Sequence, residues 1–343
     1  MQTVLVTGAG GYIGSVLVPK LLQQGFTVKA LDRFFFGKDK LETHPQLQFI
    51  QEDARRLSEQ QLAGVDYVID LVAVSNDPSG EQFSEATWQI NHQSRVMTAN
   101  LAKKAGVKRY ILPSSCSIYG FQDNEVDETS KTNPLTVYAK ANEKAEQDIL
   151  PLANETFVVT ILRQATVFGY GPRMRFDLAI NGMVYGAWKD NVLPLMRDGK
   201  QYRPMVHVQD TTDVMIHLLT ADPHNINGEI FNVGGAEQNY QLGPLGEIIA
   251  KTVSNELNKP IKIEWYGDVD HRSYRVNFDK IATILKWQPR FSAEKGAKEI
   301  LTHLVDGTLE RSTQTITLNW YKDLEKWHKI IKQVELHGGI LNI

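Results

Sequence analysis

The stretch Val4-Leu5-Val6-Thr7-Gly8-Ala9-Gly10-Gly11-Tyr12-Ile13-Gly14 constrains this chain more than any other. A short apolar, β-branched run breaks at clustered glycines and resumes as the helical pattern Val16, Leu17, Leu21, Leu22: a strand, a turn and a helix. Gly8 permits a tight turn, Gly11 lets the backbone approach a pyrophosphate with no Cβ in between, and Gly14 lets the new helix pack closely on its strand. The free N–H groups and the positive dipole end of that helix then face the phosphates. Gly8, Gly11, Tyr12, Ile13 and Gly14 are therefore the expected dinucleotide contacts. An ordinary structural turn is the alternative.

The next apolar strand, Thr27-Val28-Lys29-Ala30-Leu31, ends at Asp32, close to the distance at which an acidic residue meets an adenosine ribose. Asp32 would accept from the 2′-OH and repel a 2′-phosphate, which favours NAD. Arg33 beside it could pair with that phosphate, which leaves NADP open.

At 343 residues the chain can bury a large core and divide into two lobes. A formal charge of -3 with mixed signs leaves no footprint for nucleic acid or an anionic membrane. The single cysteine, Cys116, excludes an internal disulfide and fits a reducing cytoplasm. No charged leader with an apolar core precedes Val4, no apolar run is long enough to span a membrane, and no Cys/His cluster suggests a metal. The expectation is a soluble cytoplasmic protein.

In chain order, Phe34-Phe35-Phe36-Gly37 is an aromatic loop that either covers an adenine edge or simply packs. Asp53 and Ala54 follow a third strand, and Asp53 either holds an adenine amino group or caps the next helix. Val65 to Val74 is nearly continuous in apolar residues, as in a strand buried on both faces, and Leu71 and Ala73 at its end are expected beside the cofactor. Ser75-Asn76-Asp77-Pro78-Ser79-Gly80 then forms a loop at the edge where open α/β sheets bind ligands. A long helix from about Ser84 to Lys104 carries Asn91, read as a surface or packing residue. A strand from Arg109 runs into Ser114-Ser115-Cys116-Ser117, and a helix opening at Pro134-Leu135-Thr136-Val137-Tyr138 stacks Asn142 and Glu146 below Tyr138.

From Val4 to about Phe291 the chain resembles the extended short-chain dehydrogenase/reductases, in the branch of NAD-dependent epimerases and dehydratases of nucleotide-activated sugars. The motifs are Thr7-Gly8-x-x-Gly11-x-x-Gly14, Ser114-Ser115-Cys116-Ser117-Ile118-Tyr119-Gly120, Tyr138 at a helix start, Leu162-Arg163, and Arg203-Pro204-Met205-Val206-His207-Val208-Gln209-Asp210. The resemblance implies a Rossmann-type doubly wound parallel sheet over residues 1–168, with returning segments near 205–235. It implies a smaller α/β substrate lobe over 169–343 ending in a helical extension, and a homodimer formed through the helices near Ser84 and Tyr138. It makes Tyr138 the proton-transfer residue and Ser115 its hydroxyl partner, with hydride passing to or from the nicotinamide. Ser75, Ser115, Cys116, Ser117, Arg173, Asn181, Arg203 and Arg272 fall at positions implied to hold the nucleotide diphosphate sugar. Arginine's fixed fork of donors matches phosphate oxygens, whereas His207, alternating with apolar residues, reads as a packed histidine.

Two departures matter. The dehydratases place an Asp-Glu pair directly after the hydroxyl residue, whereas Cys116 and Ser117 stand here, which disfavours water elimination. The family also pairs its tyrosine with a lysine four residues on, and this chain has Asn142, which takes that catalytic position and whose amide is still expected to hydrogen-bond the nicotinamide ribose. An ammonium about 4 to 5 Å away at an effective dielectric near 20 is worth roughly 3 to 4 kcal/mol, so its loss should leave Tyr138 protonated at neutral pH. The sequence therefore points to an NAD-dependent epimerase or keto-reductase. A non-catalytic NAD-binding regulator with a degenerate site is the alternative.

Overall fold

In the computed structural model, which describes residues 2–268 and 272–339, the apolar runs become the strands of one large sheet. They are β1 (Thr3–Thr7), β2 (Thr27–Asp32), β3 (Leu47–Gln51), β4 (Tyr67–Asp70) and β5 (Arg109–Ser115), joined after β6 (Phe121–Val126) by β7 (Val158–Gln164). Beyond them run β8 (Thr166–Phe168), β9 (Val192–Met196), β10 (Tyr202–His207), β11 (Glu229–Val233), β12 (Asn239–Gln241), β13 (Lys262–Tyr266) and β14 (Ser273–Val276). The seven-stranded sheet has the order β11-β7-β5-β4-β1-β2-β3, and every neighbouring pair is parallel. Every residue of β4 and of β7 is buried, so helices cover both faces, which is why these strands read as unbroken apolar runs.

Strand order reverses between β1 and β4, and the crevice outside their carboxyl ends is where such sheets take ligands. Two glycines shape that crevice. Gly8 has φ +66°, and a Cβ on it would come within 2.8 Å of the Leu71 and Val72 backbone. A Cβ on Gly14 would lie 2.5 Å from the carbonyl oxygens of both Gly8 and Ala9. Neither position tolerates a side chain without moving backbone.

One face of the sheet is covered by the helices Gly14–Gln23 and Val208–Leu218, the other by Arg95–Lys104 and Val137–Ile149. The helix expected from Ser84 to Lys104 is continuous but not uniform: Ser84–Thr87 and Arg95–Lys104 flank a π-helical stretch, Trp88–Ser94. Asn91 within it is fully buried, its amide accepting from Val74 N at 2.8 Å and donating to Val74 O at 3.0 Å. It holds the chain just past β4 in place.

The smaller lobe gathers Phe168, Met183, Leu195, Ile249, Val253, Ile300 and Leu304 into a cluster of its own, roofed by the sheets β12-β10-β8 and β13-β9. β11 returns to the edge of the large sheet, and Phe278, Ile281 and Leu285 also pack into the first lobe. The last described helix, Thr317–Val334, comes back as well. Trp320 Nε1 donates to Phe35 O at 2.7 Å, and the Tyr321 ring meets those of Phe35, Phe36 and Phe83. The aromatic loop at 34–36 is thus packed against this helix. Among the described residues no helix is long and apolar enough to cross a membrane, and no His/Cys/Asp/Glu group is arranged to hold a metal ion.

Candidate active site

A cleft of about 1340 Å³ opens at the carboxyl ends of β1, β4 and β5. Gly8, Gly11, Tyr12, Ile13, Gly14, Ala54, Leu71 and Ala73 all line it, together with Asp32, Arg33 and Asp53. The Asp32 carboxylate accepts from Gly10 N at 3.0 Å and Phe34 N at 2.6 Å, and burial raises its pKa. Arg33 lies over the Phe35 ring and reaches Asp53 at 3.2 Å. Asp53 caps the short helical turn that follows, accepting from Arg55 N at 3.0 Å, and the Arg55 guanidinium lowers its pKa to about 2. Of the two roles open for Asp53, the capping one is present in the geometry. Tyr12 turns its phenol away from the turn and donates to Gly169 O at 2.6 Å, tying the two lobes.

Arg173, expected with the sugar nucleotide, lies beside the glycine-turn helix and Phe36. Its backbone N–H faces Ser15 Oγ at 3.3 Å, its guanidinium lies 3.6 Å from the centre of the Phe36 ring, and its charge acts on Asp32. Burial lowers its pKa to about 10, with Arg175 adding to the effect. Nη2 donates to Thr317 Oγ1 at 3.0 Å, while Nε has no hydrogen-bond partner among the described residues. A buried cation with an orphaned donor, next to a helix N-terminus where no Cβ intrudes, fits the anionic part of a dinucleotide.

At the other end of the cleft, Thr136 caps the helix Val137–Ile149, its hydroxyl accepting from Ala139 N at 3.1 Å, and this sets Tyr138 in the first turn. Burial raises the Tyr138 pKa, while the Arg95 charge and a hydrogen bond with Ser115 pull it down. The Ser115 hydroxyl also accepts from Ser117 N at 3.1 Å. Ser117 Oγ is buried with no partner among the described residues, although its residue lines the cleft. Cys116, expected with the sugar nucleotide, does not line the cleft. It is fully buried, its thiol directed at Arg163 O, and burial pushes its pKa far up.

Asn142 is 1% exposed and fully engaged: Nδ2 donates to Tyr138 O at 2.9 Å, and Oδ1 accepts from Arg95 Nη1 at 2.7 Å. The expectation did not contain Arg95. Its one signal in the sequence is the polar pair Asn91 and Arg95, four residues apart on the face of a helix that turns inward. One turn below Asn142, Glu146 forms a buried two-pronged pair with Arg163, at 3.0 and 2.8 Å, and accepts from Ser114 Oγ at the foot of the site.

Arg203 and Arg272 converge from separate segments: Arg203 Nη1 donates to Arg272 O, and the Arg272 guanidinium pairs with Asp77. Asp77 also accepts from Thr136 Oγ1 at 2.6 Å, which links these arginines to the helix that carries Tyr138. The Ser75 hydroxyl accepts from Arg175 at 3.1 Å, and Arg175 forks onto Asp177 at 3.0 and 2.8 Å. Asn181, expected at a phosphate, does not line the cleft. It is fully buried, accepts from Gly169 N at 3.0 Å and donates to Arg175 O at 2.9 Å, bracing the lobe junction. His207 packs flat on Phe291, with Nε2 2.8 Å from Glu299.

The sequence profile described as the NAD dependent epimerase/dehydratase family matches residues 4–234. The chain belongs to that family. Among curated relatives, UDP-glucuronic acid decarboxylase 2 of Arabidopsis thaliana is 27% identical over 305 residues, which is 85% of this chain and 66% of that protein. The chain thus spans just under two thirds of that relative's length. The UDP-glucuronate 4-epimerase of Thermodesulfobacterium geofontis is 24% identical over 356 residues, covering 96% of this chain and 98% of the relative. Among solved structures, the UDP-glucuronic acid 4-epimerase of Bacillus cereus, in complex with UDP-glucuronic acid and NAD, shares the fold at a TM-score of 0.79. It is 24% identical, and the match covers 89% of this chain and 99% of that one. Members of this NAD-dependent family thus span epimerisation and decarboxylation of one kind of nucleotide sugar.

Proposed function

We propose that the chain is an NAD-dependent epimerase or keto-reductase of a nucleotide diphosphate sugar, with UDP-hexuronates and UDP-hexoses the first class to test. One observation carries this reading. The Tyr138 phenol, the Ser115 hydroxyl and the arginine pair Arg203 and Arg272 line the same cleft as the glycine turn. Gly8, Gly11 and Gly14 would hold the dinucleotide's pyrophosphate with Arg173, and Asp32 its ribose. When bound, NAD supplies a reversible hydride acceptor at the nicotinamide.

The residues of the chain handle the proton and the position of the sugar. Tyr138, kept protonated by burial, gives its proton to a sugar oxygen as a ketone is reduced and takes it back in the opposite direction. Ser115 shares that oxygen in a hydrogen bond. Arg203 and Arg272 grip the diphosphate once Asp77 yields the guanidinium that it now holds. Elimination of water needs a further acid and base beside the hydroxyl residue. Position 116 is a thiol buried away from the cleft and 117 a hydroxyl, which supports epimerisation or reduction over dehydration.

The test is turnover of a UDP-sugar panel with NAD, read by NMR of the products, in wild type and Tyr138→Phe. The expected result is conversion that falls by about a thousandfold in the variant. Full turnover by Tyr138→Phe removes the proton-transfer role. Calorimetry that shows NAD binding and no nucleotide sugar makes the chain a regulator instead.

A further inference from the structure

We infer that Arg95 is a positioning residue that takes over, from a neighbouring helix, the cationic role which the resemblance assigns to a lysine at position 142. The inference rests on the reading of Tyr138 as the proton-transfer group and explains how that group works without the lysine.

The geometry is specific. Arg95 is 2% exposed and stands where the π-helical stretch gives way to the helix Arg95–Lys104. Its Nε donates to Val72 O at 3.0 Å, its Nη1 to Asn142 Oδ1 at 2.7 Å, and its own carbonyl accepts from Tyr110 Oη at 3.2 Å. A guanidinium fixed at two points, on a residue whose carbonyl is itself held, and lining the cleft is held, not accommodated. The Asn142 amide completes the arrangement. With Nδ2 on Tyr138 O, its Oδ1 is the only end left to face Arg95, so amide and guanidinium specify each other. A lysine at 142 would instead bring a second cation against Arg95.

Other charges face Tyr138, and their partners separate them from Arg95. Arg175 is forked onto Asp177, Asp77 is paired with Arg272, and the Glu81 carboxylate accepts from Val137 N at 2.8 Å. Both hydrogen bonds of the Arg95 guanidinium go to neutral oxygens, which leaves its field less cancelled. The carboxylate that faces Arg95 from β4 is Asp70, itself taken up by the hydroxyls of Thr7 and Tyr110. Such a cation favours the phenolate and so lowers the phenol's pKa.

The experiment uses the full chain carrying tyrosine labelled with ¹³C at Cζ, loaded with NAD, the Tyr138 signal being assigned by its loss in Tyr138→Phe. Its ionised fraction is read near pH 10 alongside the pH profile of turnover. Arg95→Gln is expected to reduce that fraction by about tenfold, Arg95→Lys to leave it within about threefold, and Arg95→Gln with Asn142→Lys to restore it. An unchanged fraction in a folded, NAD-binding Arg95→Gln overturns the inference. If that variant does not fold, the double variant decides: recovery of folding and of the wild-type fraction supports the inference, and any other outcome overturns it. Tyr138-dependent turnover with an unmoved titration would sink this role and leave the enzyme reading intact. A shifted titration without turnover on any nucleotide sugar would do the reverse.

Discussion

At the Gly8–Gly14 turn the backbone itself shapes the cleft, whereas around Tyr138 the shape comes from side chains that separate segments bring together. The first half fails where a Cβ is added at Gly8 or Gly14, because backbone atoms lie 2.8 Å from the first and 2.5 Å from the second. The second half is a relay from Val72 O through Arg95 and Asn142 to Tyr138, with Glu146 and Arg163 beneath it. Backbone geometry tolerates no substitution. A side-chain relay tolerates exchange when charge and hydrogen bonds are kept, which on the Arg95 proposal is how an asparagine can stand where the resemblance implies a lysine.

The largest effect expected from this contrast is on stability at the foot of the phenol. Glu146→Ala leaves Arg163 buried without its partner, both side chains being under a tenth exposed. Urea unfolding should show a loss of about 3 to 5 kcal/mol. A loss below about 1 kcal/mol would mean that the side-chain half does not depend on its buried pair.

Next comes the glycine turn. Gly14→Ala should reduce NAD affinity by at least about tenfold, by calorimetry, with little change in the circular dichroism spectrum, because the obstructed atoms lie at the turn rather than in the core. Unchanged affinity would break the claim that backbone alone makes that half.

The smallest effect concerns Asp53. Its carboxyl is lowered to about 2 by Arg55, so the stabilisation from this group is present above its ordinary pKa near 4 and is lost as pH falls towards 2. Solvent reaches the pair, so Asp53→Asn should cost less than about 1 kcal/mol at pH 7 and only a small part of that at pH 2, where the carboxyl is about half protonated. A difference undiminished at pH 2 would assign the effect to the cap and not to the charge.

The same contrast governs what the sequence reveals. Unbroken apolar runs announce buried parallel strands, and glycine spacing announces a tight turn, so the large sheet and the glycine-turn wall of the cleft are legible in the sequence. Asn142 is legible as a departure, but its partner is not. Arg95 lies 47 residues earlier, and only the packing of two helices brings it to the amide. The directions in which Asn181, Cys116 and Arg173 point are hidden for a related reason. A motif gives a position along the chain, while which way a side chain points depends on acceptors such as Arg175 O, Arg163 O and Thr317 Oγ1 that pattern does not show.

The bond from Trp320 to Phe35 joins positions 285 apart in the chain. Tyr321 and Thr317, which wall in Phe36 and Arg173, leave the ribosome long after the glycine turn does. The groove is therefore completed late in synthesis, and coenzyme captured earlier would sit in an unsealed berth.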